Sequence, residues 1–97
     1  MKPLRFDWDD AKAASNRKKH GVGFEEAKSA FYDANARIIA DLEHSQGEER
    51  FILLGLSDRL RVLVVCHCYR DNDGIIRIIS ARKANRSETR AYEEFLP

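Results

Sequence analysis

The sequence predicts an α+β fold in which an antiparallel sheet of about four to five strands carries helices on one face. The first third of the chain holds the start and stop signals of one helix and apolar residues at the spacing of a second, and four runs rich in Ile, Leu and Val, separated by turn residues, follow. A chain of 97 residues has enough apolar surface for one core, so we expect a single domain over residues 1–97. The predicted order of elements is β-α-α-β-β-β-β-α.

The predicted elements begin with a short strand and a capped helix. Residues 5–8 alternate polar and aromatic side chains, which is typical of a strand. Asp9 or Asp10 can cap the N-terminus of a helix over residues 10–19, where four basic residues at the end complement the dipole. Gly21 supplies the left-handed residue that ends this helix.

A second helix, four strands and a closing helix come next. Phe24, Ala27 and Phe31 recur at helical spacing and predict a helix that ends near residues 32–33. Asn85 and Glu88 form the pattern of a capping box, which opens the last helix. The strands are expected at residues 36–41, 49–56, 61–69 and 75–82, with hairpin turns at residues 45–47, 57–59 and 71–74. Helices on one side would leave the other sheet face open to a ligand or partner.

The charges of the chain nearly cancel but are segregated along it. Seventeen basic and sixteen acidic side chains give a net charge of +1, with basic blocks at residues 1–20 and 50–90 and an acidic block at residues 21–49. Such blocks can give one surface for polyanions and another for a basic partner. No apolar run approaches the ~18 residues of a membrane helix, and no apolar secretory stretch opens the chain, so we expect a cytoplasmic protein.

The strand-to-helix segment at residues 77–84 is the first candidate for phosphate binding. Arg82, Lys83 and Arg86 lie where the strand ends and the helix begins, and backbone N–H groups at a helix start also favour phosphate. Strict alternation along the strand predicts that Arg77 and Arg82 point to opposite faces. The alternative is that these cations are solvated or pair with acidic residues of the second block.

Lys19 and His20 are a second candidate, at the end of the first predicted helix. An imidazole can transfer protons near neutral pH, so His20 can serve as an acid or a base. The alternative is that both residues only stabilise the negative end of the helix dipole.

The segment Cys66-His67-Cys68 has the residue types of a zinc site. Alternation places both sulfurs on one face and the imidazole on the other, and no second ligand pair is nearby, so we expect no metal and no disulfide. His67 shares its predicted strand face with Arg61. That mixed face is consistent with an active face, with an interface, or with His67 as an ordinary exposed histidine.

Glu49 can be a carboxylate base or a cross-strand ion-pair partner.

Five segments, in this order and spacing, resemble the BrnT family of bacterial toxins. They are Phe6-Asp7-Trp8-Asp9, Lys19-His20-Gly21-Val22, Phe24-Glu25-Glu26-Ala27, Gly47-Glu48-Glu49-Arg50 and Arg77-Ile78-Ile79-Ser80-Ala81-Arg82-Lys83-Ala84. The resemblance implies a fold like that of RelE toxins and a ribonuclease toxin of a type II toxin–antitoxin pair, held by a BrnA-type antitoxin in a hetero-oligomer. Gly23, where the family often has Ser or Thr, and Ala34, where proline is common, depart from the pattern and bear on stability.

The implied activity is RNA cleavage that needs no metal or cofactor. It requires a base for the 2′-hydroxyl, an acid for the leaving oxygen and cations for the phosphate. By residue type and motif position, Arg82 and Lys83 are assigned to phosphate charge and His20 or His67 to proton transfer, with Glu49 as an alternative base. The candidates for RNA binding are Lys19, Arg61, Arg77 and Arg86. The rival hypothesis is a non-catalytic module that binds protein or nucleic acid.

Overall fold

A computed structural model of the chain describes residues 3–72 and 74–97. Its strands and helices are, in order, β1 (Phe6–Asp7), α1 (Asp10–His20), α2 (Phe24–Ala30), β2 (Arg37–Ala40), β3 (Phe51–Leu56), β4 (Val62–Arg70), β5 (Ile75–Lys83) and α3 (Arg86–Glu94). The predicted order is confirmed, and a short 3₁₀ turn over Leu42–His44 is added between β2 and β3. The predicted turn at residues 71–74 includes Asp73, which lies outside the described residues, as do Met1 and Lys2.

The helices begin and end at the predicted signals. The side chain of Asp9 accepts a hydrogen bond from the Lys12 N–H at 3.0 Å, and Gly21 adopts φ of 71° after the last turn of α1. Asn85 and Glu88 form the reciprocal capping box at the start of α3, with both hydrogen bonds at 2.8 Å. Gly23 precedes α2 without a side-chain cap, as the departure from the family pattern predicts.

The five strands form one sheet in the order β1-β5-β4-β3-β2. Strands β2 to β5 are joined as successive antiparallel neighbours, as predicted. Strand β1 pairs parallel with the first residues of β5, so the sheet is mixed, not wholly antiparallel. Because β1 is only two residues long, it leaves the second half of β5 without a strand neighbour on that side.

A β-bulge interrupts the pairing of β4 with β5. Cys66 pairs with Ser80 whereas the next residue, His67, pairs with Ile78, so Ile79 has no partner residue on β4. The extra residue reverses the alternation along β5. Arg77 and Arg82 consequently lie on the same face of the sheet, and the prediction that they point to opposite faces is wrong.

Helix α2 and the end of α1 cover one face of the sheet and form the core with it. The buried cluster comprises Val22, Phe24, Ala27, Ala30, Leu53, Leu63, Val65, Ile78 and Ala81. The close approach of α2 depends on Gly55, because a Cβ there would lie 2.9 Å from the carbonyl oxygen of Ala30. On the other face of the sheet, side chains such as Ile52, Cys66 and Ser80 are partly exposed.

Helix α3 packs across the strand ends and not with α1 and α2. The Tyr92 hydroxyl donates to Asp33 Oδ2 at 2.6 Å, and burial together with that carboxylate raises the pKa of Tyr92 to about 12. The guanidinium of Arg37 stacks 3.7 Å from the centroid of the Phe95 ring. The helix therefore borders the open face, which corrects the expectation that all helices lie on the opposite side.

Candidate functional site

The open face of the sheet carries a cleft of about 310 Å³ beside the second half of β5. Its floor is formed by β3, β4 and β5, including Ile52, Val64 and Cys66. Its polar lining comes from α1, the β2–β3 connection and β5, and comprises His20, Asp41, His44, Arg50, Ser80 and Arg82. We call this the open-face cleft. It brings imidazole, guanidinium, hydroxyl and carboxylate groups into one depression.

Asn16 holds α1 against the free edge of β5 and thereby positions His20. The Asn16 side-chain amide donates to the Ala81 carbonyl at 2.8 Å and to the Val22 carbonyl at 3.0 Å, and its oxygen accepts from the Ala81 N–H at 3.1 Å. The amide thus replaces the missing strand partner of β5. One helical turn further along α1, His20 lines the open-face cleft, as Arg82 does.

The Arg82 guanidinium is anchored by Glu88, the residue that also caps α3. Nη1 and Nη2 donate to the two carboxylate oxygens at 2.8 and 2.9 Å, and Nη1 also donates to the Lys83 carbonyl at 3.3 Å. The paired carboxylate raises the pKa of Arg82, and the guanidinium lowers the pKa of Glu88. Arg82 is therefore a fixed cation, and within the described part of the chain its Nε–H and second Nη2–H remain for a ligand.

Across the open-face cleft from Arg82 lie Arg50, Asp41 and His44. Asp41 is 8% exposed, and His44 Nδ1 lies 2.9 Å from its Oδ2. The Cys66 thiol on the floor has its pKa raised by burial, which the charge of Arg50 opposes and the charge of Asp41 reinforces. Both charged groups therefore face the same point of the cleft.

Three of the predicted catalytic residues, Lys83, Glu49 and His67, do not line the open-face cleft. Lys83, one residue after Arg82 on the strand, lines a separate depression with Arg61 and Tyr92. Glu49 is exposed and lines another with Phe51 and Tyr69. Glu49 and Arg50 are neighbours in the segment that leads into β3, and only Arg50 lines the open-face cleft.

His67 lies in the interior, which corrects the expectation of an exposed or active-face histidine. The side chain has 0% exposure and its ring centroid is 4.8 Å from that of Phe31. Its Nδ1 is 3.2 Å from the Val65 carbonyl and its Nε2 is 3.2 Å from the Tyr69 hydroxyl. Burial lowers the pKa of His67, so it is a neutral core residue in this structure.

The residues predicted to bind RNA are dispersed. Arg61 donates hydrogen bonds from Nε and Nη2 to the carboxylate of Glu26, and Nη2 also donates to the Gly21 carbonyl at 3.3 Å. Arg61 therefore stabilises the connection between α1 and α2. Arg77 pairs with Asp7 at 3.3 Å, roughly 15 Å along the strand from Arg82. Lys19 and Arg86 are exposed at the end of α1 and the start of α3.

Sequence reasoning did not single out three residues that line the open-face cleft, or Asn16, which holds α1 beside it. His44 ends the unpredicted 3₁₀ turn and Asp41 directly precedes it, although a carboxylate three residues before a histidine is a pattern that such a turn brings together. Arg50 belongs to the motif Gly47-Glu48-Glu49-Arg50, in which only the carboxylates carry a predicted role. Asn16 gives no signal in the sequence, because its partners are backbone groups distant along the chain.

The described residues contain no cluster of three or more His, Cys, Asp or Glu side chains arranged to hold a metal ion. Cys66 and Cys68 are free thiols on the face opposite His67. None of the helices in the described ranges has the length and apolar character needed to cross a bilayer.

The fold and the cleft together define a class: a small α+β protein with a mixed five-stranded sheet, two helices on one face and a polar cleft on the other. The 1.1 Å crystal structure of the Brucella abortus ribonuclease toxin, BrnT, has a similar fold, with a TM-score of 0.67 over 87% of this chain and 100% of that chain at 20% identity. The sequence profile of the family described as "Ribonuclease toxin, BrnT, of type II toxin-antitoxin system" matches residues 8–88. The chain therefore belongs to the BrnT family of ribonuclease toxins. A search of curated proteins gave no match.

Proposed function

We propose that this chain is an endoribonuclease that cleaves RNA by attack of a 2′-hydroxyl on the adjacent phosphate, without a metal or cofactor, and so inhibits translation and growth. The observation that carries the proposal is that His20 and Arg82 both line the open-face cleft. Both residues were assigned to this chemistry from the sequence. Membership of the ribonuclease toxin family supports the same activity.

The chemistry of the cleft suits a phosphodiester. The two N–H groups of Arg82 that Glu88 leaves available can hold the phosphate oxygens, on which negative charge grows as the 2′-oxygen attacks. His20 can transfer a proton to or from an oxygen of the reacting group. Lys83, Lys19 and Arg86 are exposed at the same end of β5, and we assign them to flanking backbone phosphates of a longer RNA.

We further propose that a BrnA-type antitoxin binds the toxin in the cytoplasm as a hetero-oligomer. The acidic and basic blocks of the sequence partly neutralise each other within the fold, because Glu26 pairs with Arg61 and Glu48 with Arg70. The antitoxin therefore meets a surface of mixed charge. Co-expression with the product of the adjacent gene, followed by purification through a tag on one chain, tests this part: failure of that product to co-purify or to restore growth would overturn it.

The activity is tested with an end-labelled RNA, supplied both free and in a ribosome-containing translation reaction. We expect cleavage that persists in EDTA and leaves a 2′,3′-cyclic phosphate and a 5′-hydroxyl. Arg82→Ala should reduce the rate by about 10²–10³-fold, the usual cost of losing one transition-state donor. Arg90→Ala is the matched control, because Arg90 is an exposed arginine of α3 outside the cleft.

The rival binding module is separated by the same variants. If the wild-type chain binds RNA or protein but never cleaves RNA, and its induced expression leaves bacterial growth unchanged, the ribonuclease proposal is wrong. Growth arrest by the wild type and by Arg90→Ala, and normal growth with Arg82→Ala, is the result expected of a toxin. Circular dichroism of each variant confirms that the fold is retained.

A further inference from the structure

Cleavage through the 2′-hydroxyl requires two proton-transfer groups, and His20 is one. The other candidates from the sequence do not reach the open-face cleft, since His67 is in the core and Glu49 lines a different depression. The cleft itself contains a second imidazole, that of His44, on the side opposite Arg82. Its surroundings differ from those of an ordinary surface histidine.

His44 is oriented by a buried carboxylate. Its Nδ1 lies 2.9 Å from Oδ2 and 3.1 Å from Oδ1 of Asp41, while the imidazole side chain as a whole is 63% exposed. An Nδ1–H that donates to a carboxylate fixes the tautomer in which Nε2 carries the lone pair.

Asp41 is itself held in place by the backbone. Its N–H donates to the Arg50 carbonyl at 2.8 Å, which closes the turn between β2 and β3. This contact ties the turn to Arg50, which directly precedes β3. Arg50, Asp41 and His44 therefore form one unit, and Arg50 adds a second arginine to the lining of the cleft.

The two histidines differ in their partners. His20 lies in the last turn of α1, and no carboxylate contacts it within the described residues. His20 is therefore left as the acid of the reaction. His44, with its carboxylate partner, suits the base.

We propose that His44 is the general base of the cleavage reaction and that Asp41 is its positioning residue. This inference rests on the proposed ribonuclease function and extends it. His44 Nε2 removes the proton of the 2′-hydroxyl, and the 2′-oxygen forms a bond to phosphorus. The bond from phosphorus to the 5′-oxygen breaks, and His20 donates a proton to that oxygen. The products are a 2′,3′-cyclic phosphate and a 5′-hydroxyl, and both histidines return to their starting state by proton exchange with water.

The test compares His44→Gln and Asp41→Asn with the wild type. The control is Glu43→Gln, an exposed residue of the same 3₁₀ turn. Cleavage of a mixed-sequence 20-nucleotide RNA gives the rate, and fluorescence anisotropy with the DNA of the same sequence gives binding without reaction. We expect both variants to lose at least about 100-fold in rate and to bind the DNA within twofold of the wild type. The control should keep the wild-type rate.

A spectroscopic measurement separates positioning from a structural role. The ¹⁵N chemical shifts of the His44 ring report its tautomer, and we expect the Nε2 lone-pair form in the wild type and a mixture of tautomers in Asp41→Asn. Normal cleavage by His44→Gln, while Arg82→Ala is inactive, would overturn this inference and leave the proposed function standing. An inactive wild type, by contrast, would overturn both. Because His44 is largely exposed, His44→Gln should fold even if Asp41→Asn does not.

Discussion

Replacement of Asn16 by alanine is expected to lower the free energy of unfolding by about 3 kcal/mol. The Asn16 amide makes three hydrogen bonds to the backbone of Ala81 and Val22, whose residues are 1% and 0% exposed. Water cannot reach these groups easily, so the variant leaves one buried N–H and two buried carbonyls without their partners. Most of this cost falls on the Ala81 N–H, because an orphaned buried donor costs up to about 3 kcal/mol whereas a carbonyl with two lone pairs tolerates the loss of one partner better.

Two smaller effects modify this figure. Alanine is the better helix former by about half a kcal/mol, which opposes the loss. The small cavity left by the amide adds to it. The net value of about 3 kcal/mol corresponds to a fall in Tm of more than about 10 °C for a chain of this size.

Urea denaturation followed by circular dichroism measures the change. The matched control is Ser15→Ala, the exposed neighbour of Asn16 on α1, which should change the free energy of unfolding by less than about 0.5 kcal/mol. A loss below about 1 kcal/mol in Asn16→Ala, with an unchanged m-value, would refute the reasoning that this amide substitutes for a strand at the edge of β5.

Three further changes probe other parts of the fold. Gly55→Ala should lower the free energy of unfolding by about 1–3 kcal/mol, because the added Cβ would lie 2.9 Å from the Ala30 carbonyl oxygen. An unchanged urea midpoint would contradict this. Glu26→Gln should cost about 2 kcal/mol by leaving Arg61 unpaired, less than a fully buried pair because Arg61 is 26% exposed. Arg61 lowers the pKa of Glu26, so the pair contributes its full stabilisation at a pH above the ordinary glutamate pKa near 4.3. This stabilisation is lost as the pH falls through the lowered pKa of Glu26 in the folded protein. The acid-unfolding curve of Glu26→Gln should therefore be less steep than that of the wild type. Burial lowers the pKa of His67, so below about pH 6.5 the unfolded chain binds a proton that the folded chain does not. The free energy of unfolding should therefore fall by up to about 1.4 kcal/mol for each pH unit below 6.5. His67→Gln should abolish that slope between pH 6.5 and 5, and an identical slope in both proteins would count against it.

Much of the fold could be predicted from local signals. The caps of α1 and α3, the αL glycine and the four strands depend on residues close together in the sequence, and each was found within one or two residues of its predicted place. The parallel pairing of β1 with β5 could not be predicted, because the two strands are distant along the chain and β1 is too short to show a pattern. The position of α3 depends similarly on distant partners, Arg37 and Asp33.

The candidate site was predictable in part. His20 and Arg82 were chosen for their chemistry, and the fold brings them into one cleft. His67 was misjudged because alternation shows which side of a strand a residue faces but not whether a helix covers that side. Asp41 and His44 were missed because a 3₁₀ turn of three residues has no periodicity to detect.

The bulge at Ile79 divides β5 into two stretches whose inward and outward positions are exchanged. A deletion of this one residue would make Ile78 and Ser80 consecutive opposite His67 and Cys66, so the ladder would become regular and both arginines would keep their face. The pairing of β5 with β4, and not the number of residues between the two arginines, therefore decides which face of the sheet receives the charge. Among relatives of this chain, a β5 shorter by the bulged residue is expected to present the same face to the cleft.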